Sequence, residues 1–239
     1  MNICILIINY NYENYIETNI KDFIKLTRKK IDIIVVDDQS ELDLIKLEKK
    51  LEPLKVFKTN YMKSNNPNLC QEQAIKFGLS LLKPEHEYVW IVDGDDVVFV
   101  SNYVKLNQML QSHITIFSQP YAVNTINNKK FKVPTRPSRI LPWAKNITTS
   151  CILIKQSELQ DFFKSNFALK DFCWFDIRLQ MYLRKKKIVP KFSSLLTTHR
   201  LLHSEGASAS WRNRNFIGKI IALKNLINYF LIGWKKWPK

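Results

Sequence analysis

Residues 88–96 of this chain have the sequence Tyr-Val-Trp-Ile-Val-Asp-Gly-Asp-Asp. The first five side chains form a continuous apolar run, which predicts a buried β-strand. The carboxylates of Asp93, Asp95 and Asp96 then lie at the carboxyl end of that strand, where open α/β sheets bind their ligands. Because neighbouring carboxylates repel one another at neutral pH, folding alone gives little reason to cluster them. A divalent cation on nucleotide phosphates would cancel the repulsion, and a solvated acidic turn is the alternative interpretation.

Strand and helix patterns alternate over the first hundred residues. Strands are predicted at Ile3–Ile8, Ile31–Val36, Leu54–Thr59 and Tyr88–Val92, and helices at Glu13–Leu26, Leu42–Leu51 and Leu69–Leu82. This order predicts right-handed βαβ units, a mostly parallel sheet and an α/β fold. The loops after the strands emerge at one edge and carry Asn9-Tyr10-Asn11, Asp37-Asp38-Gln39-Ser40 and Asp93-Gly94-Asp95-Asp96. Their polar side chains indicate a site for a nucleotide and a metal ion.

The pattern is less regular after a predicted helix at Asn102–Gln111. Short apolar runs at Ile114–Phe117 and Cys151–Ile154 flank the stretch Asn127–Trp143, whose prolines exclude regular structure. We expect a long loop there, of a length that is typical of functional or disordered segments. A last helix is predicted at Asp171–Lys186.

The 239 residues carry a formal net charge of +16, and its distribution is more informative than its size. No acidic residue occurs from Val97 to Ser157 or from Gly206 to Lys239. A basic second half indicates an anionic partner such as a membrane surface, a lipid phosphate, an acidic glycan or a nucleic acid. The length allows one large α/β domain or two small ones.

Four cysteines are scattered along the chain without the spacing of a zinc site: Cys4, Cys70, Cys151 and Cys173. This pattern is typical of free cysteines that serve as small apolar residues in a protein of a reducing compartment. The apolar run Ile3–Ile8 is too short for a signal peptide and fits a first strand. We therefore expect a cytoplasmic protein.

Four segments, in this order, resemble the motifs of family 2 glycosyltransferases: Ile-Ile-Asn-Tyr-Asn at 7–11, Val-Val-Asp-Asp-Gln-Ser at 35–40, Gln-Glu-Gln-Ala-Ile-Lys-Phe-Gly-Leu at 71–79 and Val-Asp-Gly-Asp-Asp at 92–96. The resemblance covers the first hundred residues well and the rest only in outline. It implies the GT-A fold, which is a Rossmann-like, mixed and mostly parallel sheet flanked by helices, and inverting transfer from a nucleotide-diphospho-sugar. Residues 1–209 would form this domain, with a nucleotide-sugar-binding half at 1–100 and an acceptor-binding half at 101–209.

The resemblance also implies a set of site residues. Asp38 would accept a hydrogen bond from the nucleotide base, and Asp93 and Asp95 would form the DxD element, which contacts the ribose and a Mn²⁺ or Mg²⁺ ion on the diphosphate. The implied nucleotide-sugar residues are Asn9, Tyr10, Asn11, Asp38, Gln73, Asp93, Gly94 and Asp95, and the implied metal ligands are Asp95, Asp96 and His203. Gln39 stands where the family usually has glycine.

An inverting transfer needs a general base for the acceptor hydroxyl, and the family places an aspartate near the start of a late helix. Asp176 falls within the apolar stripe of the last predicted helix, where partial desolvation would raise its pKa and strengthen it as a base. One alternative is a structural role for Asp176, hydrogen-bonded to a neighbouring backbone group or arginine. Another is that Asp171 is the base, although the position of Asp171 at the predicted helix start is typical of an N-cap residue. The family usually has Glu-Asp where this chain has Phe175-Asp176.

Two further features lie after residue 200. His203 resembles the late histidine that closes over the diphosphate or metal, and an ordinary surface histidine is the alternative. Residues 210–239 predict an amphipathic helix, with an apolar face made by Phe216, Ile220, Leu223, Ile227, Phe230 and Trp234. Lysines and asparagines interrupt it, so residues 211–237 are predicted to lie at a membrane interface rather than to span the bilayer. Docking on the catalytic domain, or on a second subunit of a homo-oligomer, is the alternative.

The leading hypothesis is a metal-dependent, inverting glycosyltransferase of surface polysaccharide biosynthesis, which acts on a glycan or lipid-linked acceptor at the inner face of the cell membrane. A nucleotidyltransferase is the first alternative, but residues 9–12 contain no glycine for a phosphate-binding loop. A basic nucleic-acid-binding module is the second, but helix-turn-helix, zinc-finger and RNP patterns are absent from the sequence, so no nucleic-acid partner is expected. A third alternative is a non-catalytic relative of the family, and only the unusual Phe175-Asp176 sequence at the position of the general base supports it.

Overall fold

The computed structural model describes residues 2–18, 22, 31–41, 54–62, 67–124, 129–135, 144, 146–169, 174–202 and 227. The strands within these ranges are β1 (Asn2–Asn9), β2 (Asp32–Asp37), β3 (Lys55–Lys58), β4 (His86–Asp93), β5 (Asp96–Val100), β6 (Thr115–Asn124), β7 (Lys130–Lys132), β8 (Ile152–Lys155) and β9 (Lys191–Leu202). The helices are α1 (Pro67–Ser80), α2 (Tyr103–Ser112), α3 (Gln156–Lys164) and α4 (Phe175–Lys185). Residues 13–18 are helical as well, and Thr149–Cys151 form a 3-10 turn.

β1 lies inside a parallel part of the sheet. Its Ile5 is paired with Ile33 of β2 on one side and with Trp90 of β4 on the other, and β3 runs parallel to β2. The strand order is β3-β2-β1-β4-β8-β6-β9-β5, with β7 paired to β6, and β8 runs antiparallel to both of its neighbours. The predicted α/β class with a mixed sheet is confirmed. Because β1, β2 and β4 run the same way, the loops that follow them leave the sheet at one edge.

Helices cover both faces of the sheet. Alternate side chains of β1 point to opposite faces, so Leu6 joins a core with α1, α3 and α4, whereas Ile5 joins a second core with α2. Gly78 allows α1 to lie close to the sheet, because a Cβ at this position would be 2.5 Å from Cδ1 of Leu6. Both faces are therefore filled with protein.

The second half of the sheet differs from the sequence prediction. β6 continues to Asn124, well beyond the predicted run Ile114–Phe117. Lys130–Lys132 pairs with β6 as β7, inside the stretch that was predicted to be an irregular loop. That prediction is wrong at these residues because the prolines that exclude regular structure begin only at Pro134.

The last described helix begins later than predicted. α4 starts at Phe175 and has Trp174 as its N-cap residue, so Asp171 is not the N-cap of this helix. The predicted helix at Leu42–Leu51 and residues 210–239, apart from Ile227, lie outside the described residues. No helix in the described part of the chain is both long and apolar enough to cross a membrane.

Candidate active site

Three loops meet at the carboxyl edge of the parallel strands. The backbone N–H of Gly94, after β4, donates to the carbonyl oxygen of Ile8 over 2.8 Å. The N–H of Asp38, after β2, donates to the carbonyl oxygen of Asn9 over 2.8 Å. These bonds continue the strand pairing past the ends of the strands, so polar side chains of all three loops come together.

Asn9 joins the first two loops through its buried side chain. Its Nδ2 donates to Oδ1 of Asp37 over 3.1 Å and to Oγ of Ser40 over 2.9 Å, and its Oδ1 accepts from the N–H of Tyr12 over 3.2 Å. Asn11, with φ 59°, accepts from the N–H of Glu41 at its Oδ1. Among the predicted nucleotide residues, Asn9 and Asn11 thus shape the loops.

Asp38 directly follows β2 and is almost fully buried. Its Oδ1 accepts hydrogen bonds from the Tyr61 hydroxyl over 2.6 Å and from the Thr59 hydroxyl over 3.2 Å. Burial and the hydrogen bond to Asp38 hold the pKa of Tyr61 far above its usual value, so Tyr61 stays a donor. The side chain of Tyr10, by contrast, is half-exposed.

Gln39 follows Asp38 in a left-handed conformation with φ 59°. Glycine adopts this conformation with the smallest steric cost because it has no Cβ, which gives a physical reason for the glycine that the resemblance implies at this position. Gln39 instead gains a hydrogen bond of 2.6 Å from its Nε2 to the carbonyl oxygen of Tyr61. The Gln39 side chain therefore connects the Asp38 loop to the segment that carries Tyr61.

The acidic turn is a two-residue connection, Gly94-Asp95, between the end of β4 at Asp93 and the start of β5 at Asp96. A Cβ on Gly94 would lie 3.0 Å from Oδ1 of Asn9 and 3.1 Å from the carbonyl oxygen of Ile8. A larger residue at this position would require its neighbours to move by a few tenths of an ångström, because the turn lies directly on the end of β1.

Burial raises the pKa of both Asp93 and Asp96, and the neighbouring charge of Asp95 raises them further. Asp93 accepts a hydrogen bond of 2.7 Å from Nε2 of Gln71, which opposes the shift, as does the charge of Arg200. The shifts remain upward despite these contacts, so the protein surroundings disfavour the ionised forms of Asp93 and Asp96.

Asp176 lies in the first turn of α4 and is partly exposed. Its Oδ1 accepts from the N–H of Ile177 over 2.9 Å. Burial raises the pKa of Asp176 to about 6, against the lowering effects of that hydrogen bond and of Arg200 and Arg178. The charge of Asp176 in turn raises the pKa of Asp93, so the candidate base and the acidic turn belong to one electrostatic cluster. Asp171 and His203 lie outside the described residues.

Several residues at this site were not predicted from the sequence. Ser150 accepts from the N–H of Asp93 at its Oγ over 2.9 Å, and its carbonyl oxygen accepts from Nε1 of Trp90 over 2.9 Å. Gln71 contacts Asp93, and Oε1 of Gln73, a predicted nucleotide-sugar residue, is buried without a hydrogen-bond partner within the described ranges. Trp174, next to α4, is 40% exposed, which is unusual for so large an apolar side chain.

The oxygen donors of this edge fit a hard divalent cation in type. Carboxylates are preferred ligands of Mg²⁺ and Mn²⁺, and a cation here would favour the ionised forms of Asp93 and Asp96, which burial and Asp95 disfavour. In the described part of the chain, no group of three or more His, Cys, Asp or Glu side chains is arranged to hold a metal by itself.

The chain is similar to known glycosyltransferases. The model of glycosyl transferase family 2 matches residues 4–173. The structure of S. aureus TarS 1-349 in complex with UDP-GlcNAc has a TM-score of 0.60 and 18% identity, over 88% of this chain and 61% of that chain. The structure of GalNAc-T7 with UDP, GalNAc and Mn²⁺ has a TM-score of 0.64 and 13% identity, over 86% of this chain and 45% of that chain.

These identities show the fold alone, and the chain spans about three fifths of the length of the TarS 1-349 structure. No curated protein sequence gives a significant match.

Proposed function

Since this chain belongs to glycosyl transferase family 2, we propose that it transfers a sugar, with inversion, from a nucleotide-diphospho-sugar to a glycan or lipid-linked acceptor of surface polysaccharide biosynthesis. The observation that carries this proposal is the electrostatic cluster of Asp93, Asp96 and Asp176 at one edge of the sheet. Sugar transfer needs a site for a diphosphate next to a base, and these residues provide both kinds of group.

The nucleotide would lie between the first and second loops. The buried Asp38 accepts hydrogen bonds from Tyr61 and Thr59, which fix its carboxylate. It would accept a further hydrogen bond from the base, and Tyr10 and Gln73 would complete this side of the proposed pocket. The structural neighbours were solved with UDP-GlcNAc, or with UDP, GalNAc and Mn²⁺. UDP-N-acetylhexosamines are therefore the first donors to test.

The diphosphate would lie at the acidic turn. Asp95 and Asp96 would hold a Mn²⁺ or Mg²⁺ ion, with Asp93 beside the ribose and His203, from outside the described residues, as a further ligand. When bound, such an ion offsets the negative charge that develops on the leaving nucleoside diphosphate.

Asp176 would take the proton from the attacking acceptor hydroxyl onto its carboxylate as that oxygen bonds to the anomeric carbon and the diphosphate leaves. A pKa of about 6 keeps most of Asp176 ionised at neutral pH and makes it a stronger base than an ordinary aspartate. Asp171 remains the second candidate. The exposed ring of Trp174 is close in sequence and offers an apolar surface for the acceptor.

The basic segment 211–237 would bring the enzyme to the inner face of the cell membrane. Anionic lipid attracts each nearby Lys or Arg by about 1 kcal/mol. Sedimentation with anionic vesicles checks this proposal: a protein that stays in solution with and without the segment would favour docking on the catalytic domain or on a second subunit.

The function is tested with a panel of UDP-, GDP- and dTDP-sugars in the presence of Mn²⁺. We expect one donor class to raise the melting temperature and to release its nucleoside diphosphate when an acceptor glycan is added. Asp176→Asn should bind that donor normally and release no product. A panel without binding or turnover would contradict the proposed function, and wild-type turnover in Asp176→Asn would contradict the assignment of the base.

A further inference from the structure

Glu72 of α1 and Arg178 of α4 form an ion pair whose two side chains are fully buried. Nη2 of Arg178 donates to Oε2 of Glu72, and Nη1 donates to Oε1 over 3.1 Å, so the guanidinium bridges both carboxylate oxygens. Two-point pairing of this kind fixes the angle between the groups as well as their distance. The pair therefore sets how α4 lies against α1.

The same two side chains also bind the main chain between α3 and α4. Nη1 of Arg178 donates to the carbonyl oxygen of Phe167 over 2.8 Å, and Oε1 of Glu72 accepts from the N–H of Leu169 over 2.7 Å. Leu169 has φ 51°, a left-handed conformation that is uncommon for a bulky side chain and persists only where its surroundings impose it. The buried pair thus holds this turn and α4 in one arrangement.

Each member of the pair is close in sequence to a residue of the proposed site. Gln71, the residue before Glu72, donates to Asp93 over 2.7 Å, and Asp176 is two residues before Arg178 on α4. We infer that Glu72 and Arg178 are a positioning pair, which places Asp176 relative to the Asp93 turn and thereby orients the base toward the acceptor hydroxyl. This inference rests on the proposed function. Both side chains are enclosed by protein, so they act through Asp176 and not on the reactants.

A purely stabilising role predicts something different. Taking two charges out of water is costly, and replacing a buried ion pair by apolar side chains of similar volume often leaves stability unchanged or higher. What the arginine fork supplies beyond apolar packing is a fixed orientation. Replacing the pair by apolar residues should therefore lower the turnover rate much more than the stability of the fold.

The main test is the double variant Glu72→Met/Arg178→Met, which removes both charges together. We expect the variant to fold, with a melting temperature lowered only by the loss of the two main-chain hydrogen bonds at Phe167 and Leu169. Its kcat for UDP release from UDP-N-acetylglucosamine with Mn²⁺ should fall about a hundred-fold, since a displacement of about 1 Å can cost that much. The donor KM should stay within about two-fold, because Asp38 and the acidic turn are unchanged. Lys186→Met, which removes the exposed ion pair of Lys186 with Glu158, is the matched control and should keep wild-type kcat.

Arg178→Lys decides the question if the double variant does not fold. A lysine keeps the charge but cannot reach both oxygens of Glu72 and the carbonyl oxygen of Phe167, so we expect a folded protein with kcat lowered at least about ten-fold and an unchanged donor KM. Wild-type kcat in either folded variant would overturn the inference and leave the proposed function intact. A loss of kcat that only follows the unfolded fraction would overturn it too. If the wild-type protein turns over no nucleotide sugar, the proposed function fails, and this inference fails with it.

Discussion

Asp96 on β5 lies directly opposite Arg200 on β9 in the antiparallel register of the two strands. Paired residues of neighbouring strands share one face of the sheet and lie close together. Arg200 lowers the pKa values of Asp93, Asp96 and Asp176, but burial keeps all three above their ordinary value. The charge of Arg200 thus offsets only part of the upward pKa shift that burial causes at these three carboxyl groups.

Asp96→Asn should stabilise the metal-free protein at neutral pH. A carboxyl group whose pKa is raised on folding contributes most to stability below its unfolded pKa, near 3.8, and loses that contribution as the pH rises through the folded value. An amide has no charge to desolvate, so we expect a gain on the order of 1 kcal/mol in the free energy of unfolding at neutral pH. Urea denaturation without divalent cations measures it. Equal stabilities at acidic and neutral pH in the wild type would contradict the charge account.

The reaction rate should depend on the ionisation of Asp176. A base acts in its ionised form, so kcat/KM should fall as the pH drops through about 6. Arg200→Met should move this midpoint to higher pH, because Arg200 lowers the pKa of Asp176. Nucleoside diphosphate release over a range of pH checks both statements. A midpoint that moves to lower pH in Arg200→Met would be incompatible with the proposed cluster.

Tyr61→Phe should weaken nucleotide binding without changing kcat. The Tyr61 hydroxyl orients Asp38, and loss of a hydrogen bond to a carboxylate costs about 1.5–3 kcal/mol, so the Kd for UDP should rise at least about ten-fold. Tyr182→Phe is the matched control, since Tyr182 donates over 2.6 Å to Glu158, a carboxylate on α3. Isothermal titration with UDP should distinguish the two variants, and equal affinities would show that Asp38 does not bind the base.

Gln39→Ala should destabilise the protein more than Gln39→Gly. Both variants lose the hydrogen bond from Gln39 to the carbonyl oxygen of Tyr61, but only alanine retains a Cβ at φ 59°. The left-handed conformation costs a residue with a Cβ about 1–2 kcal/mol. Thermal unfolding of the two variants measures the difference, and a more stable alanine variant would mean that the loop relaxes out of this conformation.

The sequence predicts the parallel half of the sheet well because its signals are local. The apolar runs of β1, β2 and β4 are bounded by polar loops, and parallel strands necessarily bring those loops to one edge. The position of Asp38 and of the acidic turn follows from this rule.

The other contacts of the site join residues that are far apart in sequence, and local sequence patterns do not predict such contacts. Ser150 is 57 residues from Asp93, and Arg200 meets Asp96 only because β5 pairs with β9 at the far side of the sheet. The contact of Gln71 with Asp93 is also missed from the sequence: the segment is predicted as a helix, but the orientation of α1 depends on how Gly78 packs against Leu6.

Titration of UDP with and without Mn²⁺ tests whether the acidic turn binds a metal–diphosphate unit. For the wild type, we expect Mn²⁺ to increase the affinity for UDP at least about ten-fold, because the ion joins the diphosphate to the carboxylates. Asp95→Ala should bind UDP with the metal-free affinity under both conditions. An undiminished effect of Mn²⁺ in a natively folded Asp95→Ala variant would contradict the claim.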